Sequence, residues 1–221
     1  MKIKKAIVTS GPTKEWIDPV RYITNASSGK MGFSIANALK SWIEDIVYVH
    51  GEICSGYSNV TGAKSVFSDT TLDMKNNVLK ELQDNTIVIM AAAPADFRPR
   101  DVFEKKIKKE EDNTQSISLV KNPDILIEIS REITARNLQN VITIGFAAET
   151  NDIEKHALDK LKRKNLNLII ANQVYKNSQG FGNIDSSVSI YNAEKLLREI
   201  KGDKETIGQE ISVFLKTYFN Q

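Results

Sequence analysis

Apolar residues fall along this chain in two alternating rhythms. Short β-branched runs at Ala6–Thr9, Ile46–His50, Ser65–Phe67, Thr86–Met90, Val141–Phe146 and Leu168–Ala171 have strand length, and most leave no polar face, the pattern of strands covered on both sides. Between them, segments near Gly32–Trp42, Thr71–Gln83, Pro123–Thr134 and Asp152–Lys164 repeat their apolar residues at helical spacing. This alternation predicts an α/β fold, Rossmann-like and three-layered (αβα), with a mostly parallel sheet. Towards the end the pattern changes: Ser187–Tyr191 reads as one more strand, and Lys204–Phe219 places Ile207, Ile211, Phe214, Leu215 and Tyr218 on one helical stripe. No repeat or linker interrupts the chain, so residues 1–221 read as a single domain.

The connections say more than the elements. Strand-to-helix loops in such folds usually span about two to six residues, yet Ser10 to Met31 and Ala93 to Gln115 are far longer. All five prolines lie in or beside such connections, and both long loops leave strand carboxyl ends, the edge where open α/β sheets bind ligands. They are therefore expected to be ligand-binding loops.

Composition narrows the chemistry. Thirty Lys+Arg against 28 Asp+Glu give a formal charge of +2, without the cationic surplus of a protein held to nucleic acid by phosphate contacts. A mean hydropathy of −0.31 and the shortness of the Ala6–Val8 apolar run argue against a membrane span or signal peptide. The expectation is a cytoplasmic protein with neither nucleic acid nor membrane as partner. One cysteine, Cys54, rules out an internal disulfide, and two histidines leave little nitrogen ligation for a metal.

Several segments carry candidate chemistry. In residues 9–32, TSGPTKEWIDPVRYITNASSGKMG, Ser28 and Gly29 open a helix whose amides can hold an anion; a plain glycine-rich turn and helix cap fits the spacing equally. Arg21 offers a planar fork for carboxylate or phosphate, and Asn25 can donate and accept at an acyl centre without changing charge, although taken singly a loop arginine in solvent and an asparagine closing a turn fit better. Thr86–Asp96 is a buried strand that runs into Ala91, Ala92 and Ala93, which leave backbone open to a ligand, and then Asp96; a tight strand-to-loop exit with an aspartate turn fits equally. The run 104–112, EKKIKKEED, is either a solvated loop or a flap whose lysines close over a triphosphate. Lys160 and Lys164, four apart, share a helical face and can address one polyphosphate, or simply face solvent. Tyr191 and Lys195 match the Tyr-x-x-x-Lys pair of short-chain dehydrogenases, but Tyr191 ends a strand-like run and no compact Gly-rich fingerprint accompanies it.

Taken in order, TSGPTKEWIDPVRYITNASSGKMG, AAAPADFRP, KIKK, KNPDIL, GFAAET and KLKRKNLNLIIAN, within about residues 5–182, resemble the phosphopantothenate–cysteine ligase (phosphopantothenoylcysteine synthetase) family. The resemblance implies a ligase of coenzyme A biosynthesis. It would join 4′-phosphopantothenate to L-cysteine through an acyl-cytidylate, using CTP as co-substrate with Mg2+ and releasing pyrophosphate and CMP. The start of the chain at the synthetase strand fits the stand-alone form, so flavin is not expected. By motif position, Asn25 resembles the residue that supports the acyl-nucleotide step, and Arg21 the arginine that reaches substrate across a homodimer interface. Ala92, Ala93 and Asp96 resemble the pocket along phosphopantothenate and nucleotide, with Ser28 and Gly29 assigned to the substrate phosphate. Lys106 resembles the flap lysine, Asn122, Pro123, Asp124, Ile125 and Phe146 the nucleoside wall, and Lys160 and Lys164 the triphosphate contacts. No metal ligand is identified. Pro94 and Lys14 depart from the family's usual valine and arginine. The alternatives are an NAD(P)-dependent oxidoreductase and a non-catalytic nucleotide-binding module.

Overall fold

The computed structural model describes residues 2–108, 116–149, 153–173 and 186–219. Its elements, in order, are β1 (Lys5–Ser10), β2 (Lys14–Asp18), β3 (Arg21–Thr24), α1 (Lys30–Leu39), β4 (Asp45–His50), β5 (Lys64–Phe67), α2 (Thr71–Glu81) and β6 (Thr86–Met90). They continue with β7 (Phe97–Pro99), β8 (Leu119–Lys121), α3 (Ile125–Ala135), β9 (Ile142–Glu149), α4 (Ile153–Arg163), β10 (Leu168–Gln173), β11 (Ser186–Tyr191), β12 (Leu196–Gly202) and α5 (Lys204–Phe219).

Eight strands form the central sheet in the order β12-β11-β10-β9-β6-β1-β4-β5. The run from β10 to β5 is parallel, and β11 and β12 join it antiparallel. Numbered by their sequence, the six parallel strands lie in the order 3-2-1-4-5-6, the Rossmann arrangement. The chain changes direction of winding between β1 and β6, so a crevice opens beyond their carboxyl ends.

The side chains of β1 show why the sheet is doubly covered. All six of its residues are buried: Ala6 and Val8 enter a core with Ile35 and Leu39 of α1 and Ile207, Ile211 and Leu215 of α5. Ile7 points the other way, into a core with Met74 and Val78 of α2, Ile129 of α3 and Leu161 of α4. Tyr218, expected on the buried stripe of α5, is 36% exposed and stacks on Phe214 at 5.3 Å between centroids.

Both long connections contain structure that the apolar pattern did not show. The first carries the antiparallel hairpin β2–β3 and the second the short ribbon β7–β8. β3 is exposed or half-buried throughout, so it has no apolar rhythm to read. Edge strand β12 was missed for the same reason: LLREIKG buries only Ile200 fully.

Helix starts differ in a way that bears on the site. Thr70 and Asp73 form a capping box on α2, and Asp124 accepts from the Ile127 amide at 3.4 Å to open α3. α1 instead begins after Gly29, at φ 76°, with no side-chain cap. A residue with a Cβ is strained in that left-handed turn, and the first amide of α1 donates to Ser28 Oγ at 3.4 Å rather than to a capping carboxylate.

Candidate active site

The crevice is built by tying two strand exits together. Thr9 Oγ1 accepts from the Ala92 amide at 3.1 Å, and the Ala93 amide donates to Gly11 O at 2.9 Å. Asn25 closes the arrangement from the long first loop: its Nδ2 donates to Ala93 O at 3.2 Å and Pro94 O at 3.0 Å. With both amide hydrogens committed to backbone, Oδ1 is the end of Asn25 that can accept from a ligand. α1 is pressed onto the same point, since a Cβ on Gly32 would come within 2.6 Å of Thr9 O, and Ser10 Oγ donates to Gly29 O at 2.6 Å.

A cavity of about 380 Å³ occupies this crevice, within the usual range for small-ligand sites. Among the described residues its charged lining is Lys30, Lys160, Lys164 and Lys204 against Asp96 and Asp124, an excess of positive charge suited to polyanions. α4 supplies Lys160, and the turn that follows it supplies Lys164. Lys160 Nζ donates to Phe146 O at 3.0 Å, and Lys164 Nζ pairs with Asp124 Oδ2 at 2.7 Å, so the α3 cap and the turn after α4 are held together. Burial lowers the pKa of Lys204, and the neighbouring charge of Lys30 adds to the effect.

The structure brings Asn25, Ser28, Gly29, Ala92, Ala93, Asp96, Asp124, Ile125, Phe146, Lys160 and Lys164 around this one cavity. Four expected site residues do not line it. Asn122 is only 6% exposed; its Nδ2 donates to Ala95 O at 2.8 Å and its Oδ1 accepts from Arg98 at 3.0 Å. It therefore acts as a brace between Ala95 and Arg98, next to Pro123, which also stays outside the lining. Arg21 lies on β3, where its guanidinium holds the buried Asp18 carboxylate. That pairing, with amides from Val20, Arg21 and Ile107, keeps the Asp18 carboxyl far below the usual carboxylate range. Arg21 and Asp18 also grip Ile107 on both sides, through Ile107 O at 3.3 Å and its amide at 3.1 Å. This fixes the stem of the lysine-rich segment, and Lys106 next to it is exposed. Residues 109–115, including the acidic half of that run, lie outside the described residues.

Asn172 and Lys204 are among the lining residues not singled out from the sequence. Asn172, at the end of β10, has its Oδ1 buried without a hydrogen-bond partner among the described residues. Lys204 heads a helix that sequence alone shows only as an apolar stripe; the sheet order places it at the cavity. Tyr191, by contrast, is buried at the end of β11, and Lys195 lies exposed in the turn beyond it. The two do not share a helix face, so the dehydrogenase pair is absent.

The family model described as the DNA/pantothenate metabolism flavoprotein C-terminal domain matches residues 1–218. The chain belongs to this family. Among relatives of the domain, the coenzyme A biosynthesis bifunctional protein CoaBC of Vibrio cholerae is 43% identical over 189 residues, covering 85% of this chain and 46% of the relative. The Escherichia coli protein of that name is 38% identical over 213 residues, covering 95% of this chain and 50% of the relative. The chain thus spans about half the length of the curated relatives it matches. The crystal structure of a CoaBC C-terminal domain superposes with a TM-score of 0.75 at 28% identity, covering 100% of this chain and 97% of that one. Cab2 H337A in complex with phosphopantothenate-cysteine has a TM-score of 0.74 at 17% identity, covering 99% and 87%, a likeness of fold. The synthetase resemblance and the mostly parallel Rossmann-like sheet are both upheld. No helix among the described residues is long and apolar enough to cross a membrane.

Proposed function

We propose that this domain joins 4′-phosphopantothenate to L-cysteine by way of an acyl-cytidylate. The observation that carries the reading is the lysine-rich cavity at the switch point of the sheet, into which Asn25, Asp96, Phe146, Lys160 and Lys164 converge. Its lining holds neither cysteine nor histidine, and this chemistry needs neither. In the first step a carboxylate oxygen of phosphopantothenate attacks the α-phosphorus of CTP, and the bond to the β-phosphate breaks to release pyrophosphate. In the second the cysteine amine attacks the acyl carbon, CMP departs with the bonding pair, and the amine loses a proton. Two anions must meet in the first step, so cationic groups that offset their repulsion and hold them in line supply the catalysis.

In this reading Lys160 and Lys164 take the triphosphate, with Lys164 exchanging Asp124 for phosphate. Asn25 presents Oδ1 to the acyl region from a side chain locked by Ala93 and Pro94. Ala92 and Ala93 leave room for substrate along exposed backbone, and Lys106 closes over the phosphates. Among the described residues no group of three His, Cys, Asp or Glu side chains forms a metal cage. Mg2+ instead suits arrival on the triphosphate with Asp96 as the nearby carboxylate, since that ion is commonly held by one or two carboxylates plus phosphates; bound there it would neutralise phosphate charge.

A homodimer fits the exposed apolar surface of the two hairpins. Val20 is 55% exposed, Tyr22 42%, Phe97 50%, Val102 60%, Phe103 48% and Leu119 44%, and a second copy covering them would bring Arg21 to the partner's substrate. Mixing inactive Arg21→Ala and Asn25→Asp proteins tests this, because a shared site regains partial activity in the mixed dimer and separate sites do not. The activity itself is tested by mass spectrometry of 4′-phosphopantothenoylcysteine formed from CTP, 4′-phosphopantothenate and cysteine. Tight NAD(P)H binding without amide formation would instead favour the oxidoreductase.

A further inference from the structure

Helices α1 and α5 lie side by side with their N-termini at the same end. Gly208 sits so close to α1 that a Cβ there would approach the Ser34 carbonyl carbon to 2.8 Å, and towards the other end of the pair Trp42 Nε1 donates to Ser212 Oγ at 3.0 Å. One turn before the Ser34–Gly208 crossing stand Lys30 on α1 and Lys204 on α5, and both line the cavity. Lys204 is 5% exposed and has no hydrogen-bond or ion-pair partner among the described residues. Burying an ammonium in that state is unfavourable, and its lowered pKa reflects burial first and Lys30 second. The nearest carboxylate along the chain, Asp203, is exposed and accepts from the Thr206 amide at 2.7 Å as the cap of α5. At α1 the N-cap residue is Gly29, there is no capping carboxylate, and the Lys30 amide donates to Ser28 Oγ at 3.4 Å. The N-terminus of α1 and two ammonium groups therefore meet at one end of the cavity, with Asp203 answering the α5 N-terminus and part of the Lys30 charge, and the chemistry that complements the rest is a phosphoryl group.

We propose that Lys204, together with Lys30 and the first amides of α1, forms a phosphate subsite of this cavity, with Lys204 in direct contact with the phosphoryl oxygens. The identity of its ligand rests on the ligase reading, in which two molecules carry such groups: the nucleoside triphosphate and 4′-phosphopantothenate. A buried lysine is poised for this role because the anion supplies the counter-charge that the protein withholds. The hydrophobic stem stays packed while the ammonium enters the cavity.

The test is calorimetric binding of inorganic pyrophosphate, CTP and 4′-phosphopantothenate to the intact protein and to its Lys204→Met and Lys204→Arg variants. Losing a charged hydrogen-bond donor to phosphate should weaken pyrophosphate binding about ten-fold or more in Lys204→Met, with Lys204→Arg retaining most of it. Whichever of CTP and 4′-phosphopantothenate weakens alongside pyrophosphate identifies the source of the phosphoryl group. Affinities within about two-fold of the unmodified protein for all three ligands would overturn the proposal, as would failure of the unmodified protein to bind any of them. The Lys204 ε-methylene resonance of the unmodified protein gives a second readout independent of variant folding; it should shift on pyrophosphate addition, and an unmoved resonance on saturation counts against the subsite. Lys204-dependent pyrophosphate binding without amide formation would retain the subsite and remove the ligase, and amide formation with Lys204-independent binding would do the reverse.

Discussion

Replacing Gly32 with alanine tests whether the position of α1 sets the chemistry. The new Cβ would lie 2.6 Å from Thr9 O and 2.7 Å from Ser10 Cβ. Ordinary contact begins near 3.4 Å, so about 0.8 Å of relative movement is required, in the range where overpacking costs about 1–3 kcal/mol. Thr9 cannot yield, because β1 is hydrogen-bonded to β4 on one side and β6 on the other. α1 cannot swing freely either, because α5 packs against Ser34 through Gly208. The strain therefore falls on the turn at Ser27–Gly29, which lines the cavity. A displacement approaching 1 Å in a group that positions substrate lowers turnover by about 10²-fold. Steady-state pyrophosphate release from CTP should show that loss in kcat/KM, with a circular dichroism spectrum close to the parent's. A Gly32→Ala protein with unchanged kcat/KM would refute the reasoning that α1 and β1 form one rigid seat.

Other outcomes follow from single contacts. Asn122→Ala removes two side-chain hydrogen bonds in a buried brace, so chemical denaturation should report a loss of about 1–3 kcal/mol, whereas a direct ligand contact would change the KM for CTP and leave stability intact. Asn25→Asp sets a carboxylate against the Ala93 and Pro94 carbonyls and should abolish amide formation in a folded protein, while Lys106→Gln should lower kcat. Acid sensitivity has a defined sign. Asp18 is held low first by Arg21, Glu81 by Lys5 and then Lys64, and Asp203 by the Thr206 amide. Each contributes stability fully present above the ordinary carboxylate pKa of about 4 and lost as pH falls through its lower folded value. Denaturation midpoints should be flat from neutral pH down to about 5 and fall below about 4, with a shallower fall in Asp18→Asn.

The sheet and its helices were legible because doubly covered strands leave runs such as Thr86–Met90 with no polar position to confuse them. The hairpins were not, because β3 and β12 are exposed or edge strands whose residues follow no apolar rhythm. The site divides along the same line. Ala92, Ala93 and Asp96 follow β6, and Ser28 and Gly29 lead into α1, both elements that the pattern locates, so their convergence follows from the Rossmann order. Motif position placed Asn122 in the nucleoside wall, but a motif does not reveal which way a side chain turns, and here it turns to Ala95 and Arg98. Lys204 was hidden because its approach to Lys30 depends on the packing of α5 on α1, a contact between residues far apart in the chain.

The most direct test of the ligase reading is pyrophosphate release by the purified protein with 4′-phosphopantothenate and Mg2+, comparing CTP with ATP, first without cysteine and then with it. Limited release is expected with CTP and 4′-phosphopantothenate before cysteine is present, rising to continuous turnover when cysteine is added. No release with either nucleotide, in a protein that is folded and binds 4′-phosphopantothenate, would contradict the ligase reading.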